Sequence, residues 1–271
     1  MARLITSLPA PEAAFLRGNR TTILDWGCAT GEGVALLAGA FSLSRVTGID
    51  IAESAVKAAR ARHSRHEFLV TDGVAIPRPF DVIVTSNVLE HFERPLDTVR
   101  QHLSSCRLLY LALVPLREYP PIEDHLVTFI EKSFPQYLGG FVRLVACPVV
   151  TDPEFWSGQQ VLVAYGSREY LQLRPGSGSR EVDSSSEAYF RAPPETQAAL
   201  EELATQEAEA ETRRWVAAER KRQELRARVK KLLRRLAPRG SLRDFLLEHL
   251  MRALKRELAR FHHFKGQFKG V

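Results

Sequence analysis

The sequence predicts an α/β fold in which a mostly parallel, doubly wound sheet of seven strands is followed by long C-terminal α-helices. Three observations support this prediction. Short β-prone runs alternate with helical patterns as far as about residue 170. A glycine-rich turn directly follows the first run, and the composition changes after residue 194 to Ala, Glu, Arg, Lys and Leu. Alternating strands and helices favour a parallel sheet covered by helices on both faces.

The seven strand candidates are short apolar runs, in chain order Thr21–Trp26, Val46–Asp50, Glu67–Val70, Phe80–Thr85, Leu108–Val114, Phe141–Val150 and Gln159–Ser167. Helical patterns fall among the first five, at Gly31–Ala40, Ala52–Ser64 and Pro95–Ser104. No helical pattern separates the last two strands, and the turn-rich pairs Asp152-Pro153 and Ser157-Gly158 lie between them. These two strands are therefore expected to pair antiparallel.

Length, composition and cysteine content indicate an intracellular protein. The chain has 271 residues and 45% apolar side chains, enough for one ordinary domain and an extension. Its cysteines, Cys28, Cys106 and Cys147, show no framework spacing, which favours reduced thiols. No apolar run approaches the roughly 20 residues of a membrane-spanning helix. We therefore expect a cytoplasmic protein whose membrane contact, if any, is peripheral.

The charge is distributed unevenly along the chain. Residues 1–212 contain 19 basic and 27 acidic side chains, whereas residues 213–271 contain 19 basic and 5 acidic ones. The formal charges are therefore −8 and +14, although the whole chain carries only +6. The basic character belongs to the C-terminal fifth, and it bears on partners rather than on the fold.

The most informative motif is the run Ile-Leu-Asp-Trp-Gly-Cys-Ala-Thr-Gly-Glu-Gly at residues 23–33. A β-prone stretch leads into Asp25 and then into a glycine-rich turn, and Asp50 follows 25 positions later at the end of a second apolar run. Gly27 and Gly31 permit tight turns and the close approach of a ligand. Asp50 is placed to accept hydrogen bonds from a ribose diol, as in nucleoside-binding βαβ units.

The same loop distinguishes between ligands. A dinucleotide site needs G-x-G-x-x-G to seat a pyrophosphate on a helix N-terminus. Here the glycines instead follow Asp25 in the pattern Asp-x-Gly-x-x-x-Gly-x-Gly. An anionic side chain at this loop suits a positively charged ligand without phosphate, and S-adenosylmethionine is such a ligand.

Over about residues 20–170 the chain resembles the class I S-adenosylmethionine-dependent methyltransferases, which have a Rossmann-like fold. The resemblance implies a methyltransferase domain at residues 1–173 and S-adenosylmethionine as cofactor. It implies that the first loop contacts the methionine end and the ribose of the cofactor. It also implies that Asp72, the acidic residue after the third strand, and the next backbone N–H contact the adenine. The implied cofactor-binding residues are Asp25, Gly27, Cys28, Gly31, Asp50, Ile51, Asp72, Gly73 and Asn87.

Two histidines are the candidate catalytic residues. The segment Phe80–Phe92 contains a buried strand, the cleft residues Ser86-Asn87 and a Leu-Glu-His tripeptide that recurs in small-molecule and glycan methyltransferases of the resembled class. His91 ends that tripeptide, and its alternative role is a hydrogen bond at a helix start. His125 follows the fifth strand, where related enzymes line the acceptor pocket. A neutral imidazole could deprotonate a hydroxyl as the methyl group arrives.

Several absences narrow the chemistry. Ser86-Asn87-Val88-Leu89 stands where amide and base-amino methyltransferases carry Asn-Pro-Pro-aromatic. No His/Cys cluster has metal-ligand spacing, so no metal site is expected. A P-loop is also absent from the sequence.

Residues 174–194 are rich in Gly, Ser and Pro and are interpreted as a linker. Residues 195–271 are expected to form a helical extension. A helix without Gly or Pro over 195–236 carries a partial coiled-coil seam at Leu225, Val229, Leu232 and Leu236, which favours a homo-oligomer. A second helix, from Ser241 to about Phe261, has an apolar face and many Arg and Lys side chains, so it suits an anionic membrane surface or a neighbouring subunit.

Three functions remain open from sequence. The first is an O-methyltransferase acting on a small-molecule or glycan hydroxyl, such as that of a surface polysaccharide; the domain architecture resembles enzymes of that kind. The second is a nucleic-acid methyltransferase with residues 213–271 as the basic arm, which the acidic first part of the chain disfavours. The third is a non-catalytic interaction protein that retains the fold, and the intact cofactor loop argues against it.

Overall fold

The computed structural model of the protein describes residues 1–71, 73, 75–151, 158–174 and 184–236, with side chains as far as residue 231. The chain divides into two compact units, Met1–Val216 and Ala217–Val271. The first unit contains the whole sheet and the candidate site.

Eight strands form one sheet: β1 (Thr22–Trp26), β2 (Arg45–Asp50), β3 (Glu67–Val70), β4 (Phe80–Ser86), β5 (Cys106–Leu116), β6 (Tyr137–Leu138), β7 (Phe141–Val149) and β8 (Gln159–Gly166). Their spatial order is β3-β2-β1-β4-β5-β8-β7-β6. Strands β1 to β5 pair parallel, and β8 pairs antiparallel with both β5 and β7. The predicted parallel sheet with an antiparallel hairpin is therefore confirmed.

The helices of the first unit are α1 (Ala2–Ser7), α2 (Ala10–Gly18), α3 (Glu32–Ala40), α4 (Glu53–Arg62), α5 (Pro95–Ser104), α6 (Arg168–Leu173), α7 (Ser184–Arg191) and the beginning of α8 (Pro194–Leu236). Short 3₁₀ turns occupy Leu89–His91 and Glu131–Ser133. The three helices predicted among the parallel strands correspond to α3, α4 and α5.

The sheet is buried on both faces because its central strands alternate apolar side chains between two cores. Ile23 of β1 and Val84 of β4 belong to one buried cluster, whereas Leu24 and Ile83 belong to the other. Successive side chains of a strand point to opposite faces, so a continuous apolar run supplies both layers. Because these central strands pair parallel, their carboxyl ends meet at the same edge of the sheet.

The sequence prediction of seven strands missed one. Strand β6 has only two residues and pairs with β7 at the sheet margin. Gly139 and Gly140, with φ of +56° and +79°, connect β6 to β7. A two-residue strand is too short to show an apolar periodicity, so the sequence carries no signal for it.

The first compact unit extends to Val216, and the methyltransferase domain predicted over residues 1–173 lies within it. The predicted linker contains α7, whose Tyr189 is buried and stacks on Tyr137 with 4.4 Å between ring centroids. In α8, Glu201 accepts hydrogen bonds from the backbone N–H groups of Gly139 and Gly140 at 2.9 and 2.8 Å. The beginning of the predicted extension is thus part of the α/β unit.

In the second unit, α8 continues to Leu236, which confirms the predicted helix over 195–236. Leu225 is 57% exposed, so its side chain is accessible to a second helix. The side chains of Leu232 and Leu236 and the helix predicted at Ser241–Phe261 lie outside the described residues. Self-association and membrane contact stay predictions. Among the described helices, none combines the length and the apolarity needed to cross a membrane.

Candidate active site

The carboxyl ends of β1, β2 and β4 meet at one edge of the sheet, and the order of the strands reverses there. Trp26 at the end of β1 pairs with Ile49 on one side and Thr85 on the other. Open α/β sheets bind ligands at such a switch point. The loops that follow β1 and β4 are in contact, because a Cβ on Gly27 would lie 2.5 Å from Val88 Cγ2.

The glycine-rich loop adopts the conformation that the sequence predicts. Gly27 and Gly31 have φ of +81° and +90°, and Gly31 is the residue before the first turn of α3. Gly33 serves a different purpose, since a Cβ there would lie 2.4 Å from Asp25 Oδ2. The first turn of α3 therefore approaches Asp25 as closely as the backbone allows.

Asp25 is an almost fully buried carboxyl group, with 3% of its surface exposed. Burial raises its pKa to about 7; the α-amino group of Met1 opposes this rise, and the charge of Asp50 adds to it. A buried carboxyl group without a permanent counter-charge resists ionisation. A cationic ligand bound beside it would supply that charge.

Asp50 joins the two loops of the predicted cofactor site. Its Oδ2 accepts a hydrogen bond from the backbone N–H of Ala29, and its Oδ1 accepts one from Ala52, both at 2.8 Å. Each carboxylate oxygen can accept a second bond, so the group is fixed in orientation and retains capacity for a ribose diol. The next residue, Ile51, is 67% exposed and offers an apolar surface beside it.

Cys28, which the sequence assigned to the cofactor, has its side chain in the core. Only 5% of the residue is exposed, and a Cβ on Gly48 would lie 2.7 Å from its Sγ. Its backbone N–H bonds to Ile49 and its carbonyl accepts from Gly31. The sulfur fills the space that Gly48 leaves within the sheet, so Cys28 supports the loop instead of presenting a thiol to a ligand. Burial raises the pKa of this thiol to about 12.

The predicted adenine-binding residues are described only in part. Asp72 lies outside the described residues. Gly73 is half-buried, and its carbonyl accepts a 3.2 Å hydrogen bond from Thr71 Oγ1. A Cβ on Gly73 would meet nothing within 4 Å, so open space adjoins it. Its role toward adenine stays a prediction.

Asn87 lies where β4 opens into the cleft. Its φ is +55°, its backbone N–H donates to Leu113 of β5 at 2.8 Å, and its Oδ1 accepts from Gln160 of β8 at 2.5 Å. Asn87 therefore connects three strands at the cleft edge. Gln160 could not be found from sequence, because 73 residues separate it from Asn87.

The structure brings His91 and His125 together, with their ring centroids 5.1 Å apart and their planes at 76°. His91 belongs to the 3₁₀ turn after β4, and His125 belongs to the segment after β5. The backbone bond from Leu126 N–H to the Glu90 carbonyl, at 2.8 Å, ties these two segments to each other. Both candidate catalytic residues thus occupy the same edge of the sheet as the predicted cofactor loops.

Each imidazole is oriented by an oxygen on its Nδ1 side. The Nδ1–H of His125 donates to the carboxylate of Glu118, and that of His91 donates to the carbonyl of Asp124 at 2.9 Å. This arrangement directs His125 Nε2 toward Glu90, whose Oε1 lies 4.0 Å away. Glu118 was not predicted from the sequence, because a pairing between residues seven positions apart in an irregular segment has no periodic signal.

Glu90 is a second candidate site residue that was not predicted from the sequence. Its side chain is 1% exposed, and neither carboxylate oxygen has a hydrogen-bond partner within the described structure. Burial raises its pKa to about 7, and the neighbouring His91 and His125 oppose that rise. Its place in the Leu-Glu-His tripeptide was the available signal.

Glu90, His91 and His125 together offer three potential metal-ligand atoms that lie within 4.8 Å of one another. The sequence expectation of no metal site rested on spacing along the chain. That expectation could not detect this cluster, because the residues between His91 and His125 include the whole of α5 and β5.

The fold and the geometry of the site agree with the methyltransferase domain and the S-adenosylmethionine cofactor that the sequence predicts. Residues 24–109 match the family model described as a methyltransferase domain. The match covers most of β1, all of β2, β3 and β4, and the beginning of β5.

Curated relatives include the ribosomal protein L11 methyltransferases of Burkholderia mallei and Burkholderia pseudomallei, which are 40% identical over 87 residues. The aligned segment is 31% of this chain and 27% of those proteins, so the chain spans about a quarter of their length. Similar solved structures include magnesium protoporphyrin IX methyltransferase from Synechocystis PCC 6803 with bound SAH, which is 15% identical. The superposition has a TM-score of 0.47 and covers 60% of this chain and 81% of that one. The mitomycin 7-O-methyltransferase MmcR is 18% identical, with a TM-score of 0.45, over 58% and 54% of the two chains.

Proposed function

We propose that the chain transfers the methyl group of S-adenosylmethionine to a hydroxyl oxygen. The observation that carries this proposal is the pair formed by Glu118 and His125 at the carboxyl edge of the sheet. A carboxylate that accepts from Nδ1–H fixes the tautomer with a basic Nε2 and stabilises the imidazolium that forms. Such a pair suits the deprotonation of a hydroxyl group.

On the cofactor side, each predicted contact has a physical basis. Asp50 would accept hydrogen bonds from the ribose diol, since its carboxylate is held in place by two backbone N–H groups. The exposed side chain of Ile51 would pack against the adenine. Asp25 would compensate the positive charge of the methionine end. The glycines leave room for the ligand along the loop.

The reaction needs positioning and the removal of one proton. The acceptor oxygen attacks the methyl carbon as the carbon–sulfur bond breaks, and the sulfonium leaves as a neutral thioether. The hydroxyl proton passes to Nε2 of His125, and Glu118 stabilises the resulting charge. Proton removal of this kind contributes roughly 10²–10⁴ in rate.

For the acceptor we propose a small-molecule or glycan hydroxyl, such as that of a surface polysaccharide, modified in the cytoplasm at the inner face of the membrane. The formal charge of −8 on residues 1–212 supports this choice over RNA, because a polyanion would be repelled from the cleft. The alternative is a nucleic-acid methyltransferase that uses the +14 charge of residues 213–271 as its binding arm. A third function, protein interaction without catalysis, predicts no turnover on any acceptor.

The test is methyl transfer by the full chain and by His125→Ala. Turnover of the variant should fall by about 10²–10⁴ while its affinity for S-adenosylmethionine stays within about twofold. His66→Ala removes a half-buried imidazole elsewhere on the domain and serves as the matched control. Wild-type turnover by His125→Ala would refute the assigned base, and equal loss in both variants would indicate general destabilisation.

A further inference from the structure

We propose that Glu90, His91 and His125 bind a divalent first-row transition cation. One ligand atom from each residue lies within 4.8 Å of the others. Metal–ligand bonds of about 2.0–2.2 Å place neighbouring ligands about 3–3.5 Å apart. Small rotations of three side chains would therefore close the cluster onto an ion.

The carboxylate of Glu90 is the observation that points to a ligand. It is 1% exposed and both of its oxygens lack a hydrogen-bond partner within the described structure. Buried carboxylates are normally paired or coordinated, because an isolated one is costly to desolvate. A cation between Glu90 and the two imidazoles would satisfy the oxygens and supply the missing charge.

The surroundings of both imidazoles have the arrangement that supports metal ligands. A ligating histidine usually donates its second N–H to a carboxylate or a backbone carbonyl, which fixes the ring and raises its basicity. Glu118 accepts from His125, and the Asp124 carbonyl accepts from His91. Each Nδ1 is thus engaged by an oxygen, and Nε2 is the coordinating atom that we assign to each ring.

The ligand chemistry narrows the cation. Two imidazoles and one carboxylate, without a thiolate, suit Mn²⁺, Fe²⁺, Co²⁺ or Zn²⁺ better than they suit Mg²⁺ or Ca²⁺, because the last two cations prefer sites made of oxygen ligands alone. Three protein ligands leave coordination positions for an oxygen of another molecule. His91 is 39% exposed, so the cluster is reachable from the cleft.

The role of the cation rests on the proposed hydroxyl acceptor. A hydroxyl bound to the cation has a lowered pKa, and it releases its proton to water before the oxygen attacks the methyl group. With the cation bound, His125 is a ligand, so the cation replaces His125 as the means of removing the hydroxyl proton that we propose above for the metal-free protein, and His125→Ala lowers turnover in either case. A vicinal diol could hold the cation with both oxygens. Metal binding itself requires neither acceptor nor cofactor, so it can be measured independently of catalysis.

The experiment consists of two titrations of the full-length, chelator-treated protein. In the first, Mn²⁺ is added and the free ion is measured by electron paramagnetic resonance. In the second, Zn²⁺ is added and binding is measured by calorimetry. We expect one site per chain, and a roughly tenfold or greater loss of affinity in Glu90→Gln and in His91→Asn. Saturating cation should raise Tm of the wild type by about 5 °C or more and leave that of Glu90→Gln unchanged. His91 is exposed, so His91→Asn remains informative if the buried variant fails to fold.

Two controls distinguish this site from incidental binding. Glu93→Gln removes an exposed carboxylate next to the cluster and should bind as the wild type does. The double substitution His262→Asn and His263→Asn removes the histidine pair near the end of the chain and should also leave affinity unchanged. Loss of binding in that double variant, or no binding to either cation below millimolar concentration, overturns the proposal. The affinity for S-adenosylmethionine is measured in the same preparations. If it is retained, the proposed cofactor site is supported independently of the outcome of the metal titration.

Discussion

Asp50 Oδ2 accepts a 2.8 Å hydrogen bond from the backbone N–H of Ala29, and this bond joins the end of β2 to the loop after β1. Ala29 has φ of +44°, a conformation that side chains with a Cβ rarely adopt. The carboxylate thus holds the loop in an uncommon conformation and is itself held by it. The ribose site and the methionine site are therefore expected to form together.

The first prediction follows from this bond. Asp50→Ala removes both the proposed ribose ligand and the support of Ala29, so affinity for S-adenosylmethionine should fall at least about tenfold, equivalent to 1.4 kcal/mol. Calorimetric titration measures it. Glu53→Ala, an exposed acidic residue in the first turn of α4, is the control and should bind normally. Equal affinities in a folded Asp50 variant would contradict the assignment.

The second prediction concerns the pH dependence of cofactor binding. The pKa of Asp25 lies near 7 because the group is buried, and the cationic cofactor favours its ionised form. Affinity for S-adenosylmethionine should therefore rise with pH up to about 7, by as much as about tenfold per unit, and level off above it. Asp25→Asn should remove this dependence. Calorimetry in buffers of different ionisation enthalpy would also detect the released proton.

The same shift determines how Asp25 affects stability in the absence of ligand. The pKa is raised from 3.8 in the unfolded chain to about 7 in the folded one, so the unfolded chain loses its proton first as pH rises. The contribution of Asp25 to the free energy of unfolding is fully present below pH 3.8, and it is lost as the pH rises from about 4 to 7. Its upper limit is about 4 kcal/mol, from roughly 1.4 kcal/mol per pKa unit. Saturating cofactor should oppose the loss, and chemical denaturation at several pH values would show it.

The third prediction separates positioning from binding. Glu118→Gln keeps the size of the side chain but loses the charge that stabilises the His125 imidazolium or tunes it as a ligand. Turnover should fall by about 10–100-fold with cofactor affinity unchanged, and the pH profile of kcat should shift. Glu123→Gln, an exposed substitution in the same segment, is the control. A purely structural role would instead lower Tm and leave the pH profile in place.

The cofactor half of the site was predictable because its signals are local. Asp25, the glycines and Asp50 lie at fixed positions at strand ends, so the strand–turn–helix pattern places them. The acceptor half depends on contacts between distant segments. Glu90 lies 4.0 Å from His125 although α5 and β5 separate the two residues along the chain, and Gln160 reaches Asn87 across the sheet. The composition that indicates a linker at residues 174–194 also permits α7, because burial of Tyr189 stabilises a helix whose residues alone would not predict it.

The fourth prediction tests the extended boundary of the first unit. Glu201 accepts hydrogen bonds from the N–H groups of Gly139 and Gly140 and from the hydroxyl of Tyr189. Charged hydrogen bonds contribute about 1.5–3 kcal/mol each, less where water reaches them, so Glu201→Ala should lower the free energy of unfolding by about 2 kcal/mol. Tm should fall by roughly 4–8 °C. Glu202→Ala, its exposed neighbour on α8, should change Tm by less than about 1–2 °C.

The fifth prediction concerns self-association of the C-terminal part of α8. A chain ending at residue 216 keeps the whole first unit, whereas one ending at residue 173 loses contacts made by Glu201. Sedimentation should therefore compare the full chain with residues 1–216. We expect a dimer or trimer for the former and a monomer for the latter, because the exposed Leu225 continues a heptad seam. Monomers in both cases at micromolar concentration would exclude the coiled coil.

Methyl transfer to a hydroxyl acceptor is tested with tritiated S-adenosylmethionine, the full-length protein and purified glycan, RNA and small-molecule pools, with His125→Ala in parallel. We expect label in a glycan or small-molecule fraction, in a product that resists alkali as an ether does, and about 10²–10⁴ less label with the variant. Label confined to RNA, label equal with both proteins, or no transfer by a protein that binds the cofactor would contradict this expectation.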